Sequence, residues 1–233
     1  MKAILFLLLL FFEMTCFGQN NYPTRDSIHI FWQPNLKITY NDYKCDTTKE
    51  RIKDMKQYGY YASASIGIWS VLDIPKKKKD RYKKFEKVYF APAFERTTSA
   101  AIKNDSLQIA MQNILLDINE ICARWARREL NSWKERTNAT GAISLRYLCV
   151  KKQMIKKSEK MRNGFIKQAF IQKKDSAFLK WRLTIDSILN ETSKWATTPE
   201  ECYRLMTGKP IEKDYIMAPS LIDMCADKKK EEN

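Results

Sequence analysis

Residues 105–133, DSLQIAMQNILLDINEICARWARRELNSW, and residues 60–70, YYASASIGIWS, decide the fold class. In the first, Leu107, Met111, Ile114, Ile118, Ile121 and Trp125 follow at intervals of four, three, four, three and four. Side chains so spaced share one stripe of an α-helix, so a helix is expected from near Asp105 to about Trp133, packed through that stripe. In the second, Tyr60, Ala62, Ala64, Ile66, Ile68 and Ser70 alternate with Tyr61, Ser63, Ser65, Gly67 and Trp69. A period of two sends successive side chains to opposite faces of a strand.

Outward from these stretches the same two periods divide the chain. Residues 28–32 alternate like a strand, residues 36–43 offer a second short extended piece, and residues 88–95 close the set. Pro92 has no N–H for a ladder, which places it at an edge or a bulge. Beyond the long helix, Met154, Met161, Phe165 and Phe170 mark a second one. Phe178, Trp181, Ile185, Ile188, Thr192 and Trp195 mark a third, opened by Asp175-Ser176, and Thr198-Pro199 with Glu201 is the composition of a capping box that starts a fourth. Strands first and helices after read as an α+β domain: an N-terminal antiparallel sheet followed by a helical C-terminal half with three to four helices.

With 233 residues, 44% apolar and 12% aromatic, and only 6 Gly and 7 Pro, the chain can bury one core, which excludes disordered and collagen-like classes. Lys2 precedes an apolar run over residues 3–12, followed by Cys16-Phe17-Gly18-Gln19, the layout of a secretory signal peptide cleaved at Gly18-Gln19. The run is too short for the ~20 residues that span a bilayer. The expected organisation is therefore a signal peptide over 1–18, one α+β domain over 19–227 and a charged tail over 228–233, in a periplasmic or secreted protein. Export permits up to two disulfides among Cys45, Cys122, Cys149, Cys202 and Cys225, with Cys122 read as a buried small hydrophobe on the helix seam.

A single histidine, His29, excludes His-pair metal sites, and with no nucleophile motif to serve it reads as structural. No Gly-rich phosphate loop or calcium-loop pattern occurs, so no metal, cofactor or catalytic residue is assigned.

The formal charge of +15 is uneven: residues 74–87 carry net +6 and residues 143–195 net +9. Lys76, Lys77, Lys78, Lys79, Lys83 and Lys84 in the first cluster, and Lys151, Lys152, Lys156 and Lys157 in the second, are candidates for binding anions. On an exported protein these could be anionic lipid, lipopolysaccharide or an acidic envelope protein. Nucleic acid is not expected, since no recognition motif accompanies the lysines.

Three stretches resemble an uncharacterised group of secreted, Bacteroidetes-type bacterial proteins described as predicted zinc-dependent proteases. Trp32-Gln33-Pro34 with residues 36–43, LKITYNDY, looks like that group's W-x-P opening, and Tyr61-Ala62-Ser63-Ala64-Ser65-Ile66 resembles its Ala/Ser-rich strand. Residues 111–127, MQNILLDINEICARWAR, follow its helix H-E-Q-x-H-F-D-I-x-E-x-x-A-R-x-x-R, with Asp117, Ile118, Glu120, Ala123, Arg124 and Arg127 in register. The resemblance implies two histidines at i and i+4 holding zinc and a glutamate acting as base on its water. Here Met111, Leu115 and Gln112 stand at those places. Neither apolar side chain replaces an imidazole, and an amide cannot accept a proton as a carboxylate does. A later stretch that carries a further histidine in the group is matched only by Ile185-Asp186 and Asn190-Glu191-Thr192.

The expectation is a non-catalytic exported relative of that group, acting as a binding or scaffold domain. Two other readings stand beside it: a peripheral binder of anionic envelope surfaces, and a hydrolase using the carboxylates Asp117 and Glu120. Glu120 and Arg124, four apart, are expected to form an ordinary ion pair on the polar face of the helix.

Overall fold

The computed structural model describes residues 22–225; the signal-peptide stretch 1–18, its cleavage point and the tail 228–233 lie outside the described residues. The fold is α+β. Four antiparallel strands, β1 (His29–Phe31), β2 (Ala62–Pro75), β3 (Lys87–Ala101) and β4 (Tyr215–Met217), lie in the order β1-β3-β2-β4. Helices α1 (Lys49–Gln57), α2 (Ser106–Thr137), α3 (Ala142–Phe165), α4 (Ala177–Glu191) and α5 (Pro199–Thr207) surround the sheet. No helix among the described residues is long and apolar enough to cross a membrane.

The strand alternation divides the core. Ile30, Ile66 and Phe94 meet α2 through Met111, Ile114, Leu115 and Ile118, and Phe165 of α3 and Ile185 of α4 close this layer. Leu72 and Phe90, further along the same face, pack on Ala123, Ala126 and Leu130 of α2 and on Tyr147, Val150 and Met154 of α3. Phe31, Ala91 and Ala93 point the other way, onto Cys202, Leu205 and Met206 of α5. Arg204 of α5 grips Asp73 of β2 with two bonds of 2.7 and 2.6 Å; both side chains are buried, and either left alone would be a charge in the core.

Helix ends follow their local chemistry. The Asp105 side chain accepts from the N–H of Gln108 to open α2, which ends at Asn138 in the left-handed region with φ 45°. Thr198 and Glu201 form the reciprocal capping box at α5, with Pro199 in the first turn and Gly208 at φ 66° after the last.

Several expectations are corrected. Residues 36–43 form a single 3-10 turn, Tyr40–Asp42, and no strand: Asn113 of α2 takes both backbone groups of Ile38, accepting from its N–H at 2.8 Å and donating to its carbonyl at 3.0 Å. The N-terminal half contains α1, whose mostly charged sequence buries only Met55. The sheet's last strand, β4, comes from the far end of the chain. Pro92 lies at no bulge but just past the end of β1, where the outward side of β3 becomes a local edge. It pairs with Ile68 in β3, a central strand, and its carbonyl accepts from Trp32 N–H. Its nitrogen therefore faces the end of β1, where the carbonyl of Trp32 is satisfied by Gln33 Nε2 at 2.6 Å instead.

Candidate functional site

The helix that resembles a metalloprotease helix is buried almost all round, and its two halves differ in chemistry. In the C-terminal half the polar residues form one connected network. Glu120 is fully buried; its Oε1 accepts from Arg124 Nε at 2.7 Å and from Thr197 N–H at 2.9 Å, and its Oε2 accepts from Thr197 Oγ1 at 2.6 Å. Arg124 lies with its guanidinium 4.8 Å from the Trp32 ring centre and donates to Leu189 O and Thr192 Oγ1. Glu120 and Arg124 are thus not the ordinary surface pair that their spacing predicts: the polar side of α2 faces the 189–197 segment and not water.

Arg127 extends the network, donating to Glu201 Oε1 at 2.8 Å, to Trp195 O at 2.7 Å, and to Phe90 O and Thr197 Oγ1. Burial pushes the Glu201 carboxyl up from its ordinary range, with Arg127 beside it pulling the other way. Asp117, nearer the surface, accepts from Trp32 Nε1 at 2.7 Å and from Arg182 Nη1 at 2.6 Å, and Arg182 also holds Asp186. These last groups line a polar cleft of about 520 Å³ with Trp32, Lys37 and Asn190. Every carboxylate in the network is engaged by donors, which suits holding segments together and not proton transfer.

In the N-terminal half the other motif positions face a groove. Gln112 and Leu115 line a space of about 370 Å³ together with Ala62, Ser63 and Ala64 of β2, Asp54 and Met55 of α1, and Arg162 of α3. Met111 lines an adjoining trough of about 660 Å³ with Leu107, Phe170, Lys173, Lys174 and Phe178; Tyr58, Tyr60 and Phe170 border both. Gln112 Nε2 approaches the carbonyl of Ala62 at 3.5 Å, while Gln108 Oε1 accepts from the N–H groups of Tyr61 and Ala62 at 2.7 and 3.2 Å. Where the resemblance would put a general base, an amide instead helps to cap a strand.

The anion-binding candidates are scattered in role. Lys76, Lys77, Lys78, Lys79 and Lys83 are exposed at the β2–β3 connection, whereas Lys84 is held by Asp214 and Lys152 by Asp223. Lys151 and Lys157 lie over the rings of Tyr147 and Trp125, and Lys156 is exposed. His29 packs its ring 5.1 Å from that of Trp69. Cys149 and Cys225 form a disulfide; Cys122 and Cys202 are buried thiols and Cys45 is partly exposed. Burial pushes the Cys122 thiol up to about 12 and raises that of Cys202.

Arg162, Thr197 and Arg204 were not picked out from the sequence: Arg162 reads as one more charge in a basic helix, and the others gain their partners only across long separations. Comparison with known proteins adds no name to this arrangement: no family model, no curated protein and no solved structure matches the chain.

Proposed function

We propose that this is an exported, non-catalytic binding domain, a relative of the predicted zinc-protease group in which the former site has become a ligand groove. The observation that supports it is the turn of α2 facing Ala62, Ser63 and Ala64. It presents Met111, Gln112 and Leu115, side chains that can hold a ligand by contact and amide hydrogen bonds but offer neither imidazole nor carboxylate. The carboxylates a hydrolase would need, Asp117 and Glu120, serve Trp32, Arg182, Arg124 and Thr197 instead.

The experiment is to purify the exported chain, sequence its N-terminus and incubate it with an unstructured protein substrate. A start at Gln19 and no cleavage are expected. A retained Met1 removes the export reading, and cleavage that depends on Asp117 or Glu120 restores the hydrolase. The second reading, a peripheral binder of anionic envelope surfaces, rests on the five exposed lysines at the β2–β3 connection; it requires binding to anionic vesicles that falls steeply with salt.

A further inference from the structure

Among the described residues the two outer edges of the sheet differ: one is capped past its short strand, and part of the other has no partner. β1 covers β3 only at residues 93–95. Past its end, the outward backbone groups of Phe90 are taken by side chains: its N–H donates to Glu201 Oε1 at 3.4 Å and its carbonyl accepts from Arg127. On the far side, β4 pairs with β2 only at residues 73–75, and the carbonyl of Leu72 accepts from Ala218 N–H. Backbone groups alternate sides along a strand, so Ser70, Ile68 and Ile66 point the same way as Leu72. Among the described residues nothing pairs with them, and pairing resumes only at Ala62, where Gln108 and Gln112 cap the strand. An open row of donors and acceptors is what an added strand needs.

A charge stands at one end of this row. α3 runs alongside β2, with Tyr147 Oη donating to Ser70 Oγ at 2.9 Å at one end and Arg162 sharing the groove with Ala62, Ser63 and Ala64 at the other. The fifteen residue steps from Tyr147 to Arg162 span about 22 Å, matching about seven extended residues. Arg162 Nε is buried without a hydrogen-bond partner among the described residues, and its guanidinium makes no ion pair there. Asp54 lines the same groove without pairing with it. Arg162 itself is only half-buried, but its buried Nε–H lacks an acceptor, which is costly until a carboxylate supplies one, and two parallel bonds to that carboxylate are the best available.

We infer that the groove takes an extended, acidic peptide segment of a partner protein, which adds as a strand along residues 64–70 of β2 and places a carboxylate on Arg162. This rests on the binding-domain reading above and names its ligand class. The net charge of +15 favours an acidic partner at the encounter stage, while Arg162 fixes where the acid must sit.

The test is fluorescence anisotropy with the purified chain and a labelled peptide of alternating Val and Thr carrying one Glu. Three companions are needed: the same peptide with Gln for Glu, one with alternate amides N-methylated, and the Arg162→Gln protein. Binding should weaken at least about tenfold with the Gln peptide or with Arg162→Gln, the loss expected for one charge-assisted hydrogen bond. The two changes together should cost no more than either alone, and the N-methylated peptide should not bind. Asp54→Asn should tighten the Glu peptide. Equal affinity for the Glu and Gln peptides or unaltered binding of the N-methylated peptide would overturn the inference, and loss on reversing Lys76, Lys77, Lys78 and Lys79 to Glu without loss in Arg162→Gln would overturn it in favour of diffuse surface charge. None of these outcomes restores catalysis, which is read separately as cleavage.

Discussion

The indole Nε1 of Trp32 donates to Oδ1 of Asp117 at 2.7 Å, joining residues 85 positions apart. The same ring lies under the guanidinium of Arg124, so one tryptophan after β1 connects to two polar residues seven positions apart on α2. Trp32→Phe keeps most of the apolar surface but leaves Asp117 with Arg182 alone. A loss of about 1–3 kcal/mol is expected in urea unfolding, and Arg182→Ala, removing a more exposed partner, should lose less. A loss within ~0.5 kcal/mol for Trp32→Phe would mean that the indole bond contributes nothing.

Glu120→Gln separates the buried network from an exposed helix pair. With Glu120 fully buried and Arg124 nearly so, removing the negative charge leaves a cation without its counterion, and a loss of about 3–5 kcal/mol is expected in thermal or denaturant unfolding. An exposed i,i+4 pair would lose only ~0.3–0.5 kcal/mol.

The seam of α2 makes a graded prediction. Ile118 is fully buried and Leu107 is 54% exposed beside the trough, although both belong to the same sequence stripe. Ile118→Ala should lose about 2–5 kcal/mol, and Leu107→Ala should stay within ~0.5 kcal/mol. Comparable losses would place the helix differently on the sheet.

Thiol chemistry reads the core independently. At pH 8 an alkylating reagent should modify Cys45 in the native protein and spare Cys122, whose thiol is held up to about 12 by burial, and Cys202, raised by the same cause. Reduction should then add Cys149 and Cys225. Rapid native labelling of Cys122 would contradict the packing of α2 on α3.

The strand and helix periods were legible because burial on one face imposes them, which is why β2, β3 and α2 to α5 stand where the sequence places them, although β2 and β3 run on to Pro75 and Ala101, and Phe170, Thr192 and Trp195 fall beyond the ends of α3 and α4. What escaped was set at a distance. β4 is three residues long and gains its identity from pairing with Asp73, Ile74 and Pro75. Pro92 fits a central strand because β1 stops short of it. Residues 36–43 have strand-like composition, but Asn113 takes the backbone groups of Ile38. At the site, the apolar character of Met111 and Leu115 was visible in the sequence, whereas the burial of Glu120 depends on Thr197, 77 positions away. The open edge of β2 appears in no local pattern at all.

The most direct measurement of the central claim, that the turn of α2 carrying Met111, Gln112 and Leu115 holds a ligand groove and not a metal, is metal analysis of residues 19–233 after incubation with zinc and exhaustive dialysis. Only traces of zinc should remain, and the Met111→Ala and Leu115→Ala variants should retain the same traces. One equivalent of zinc per chain, lost on changing residues of this groove, would contradict it.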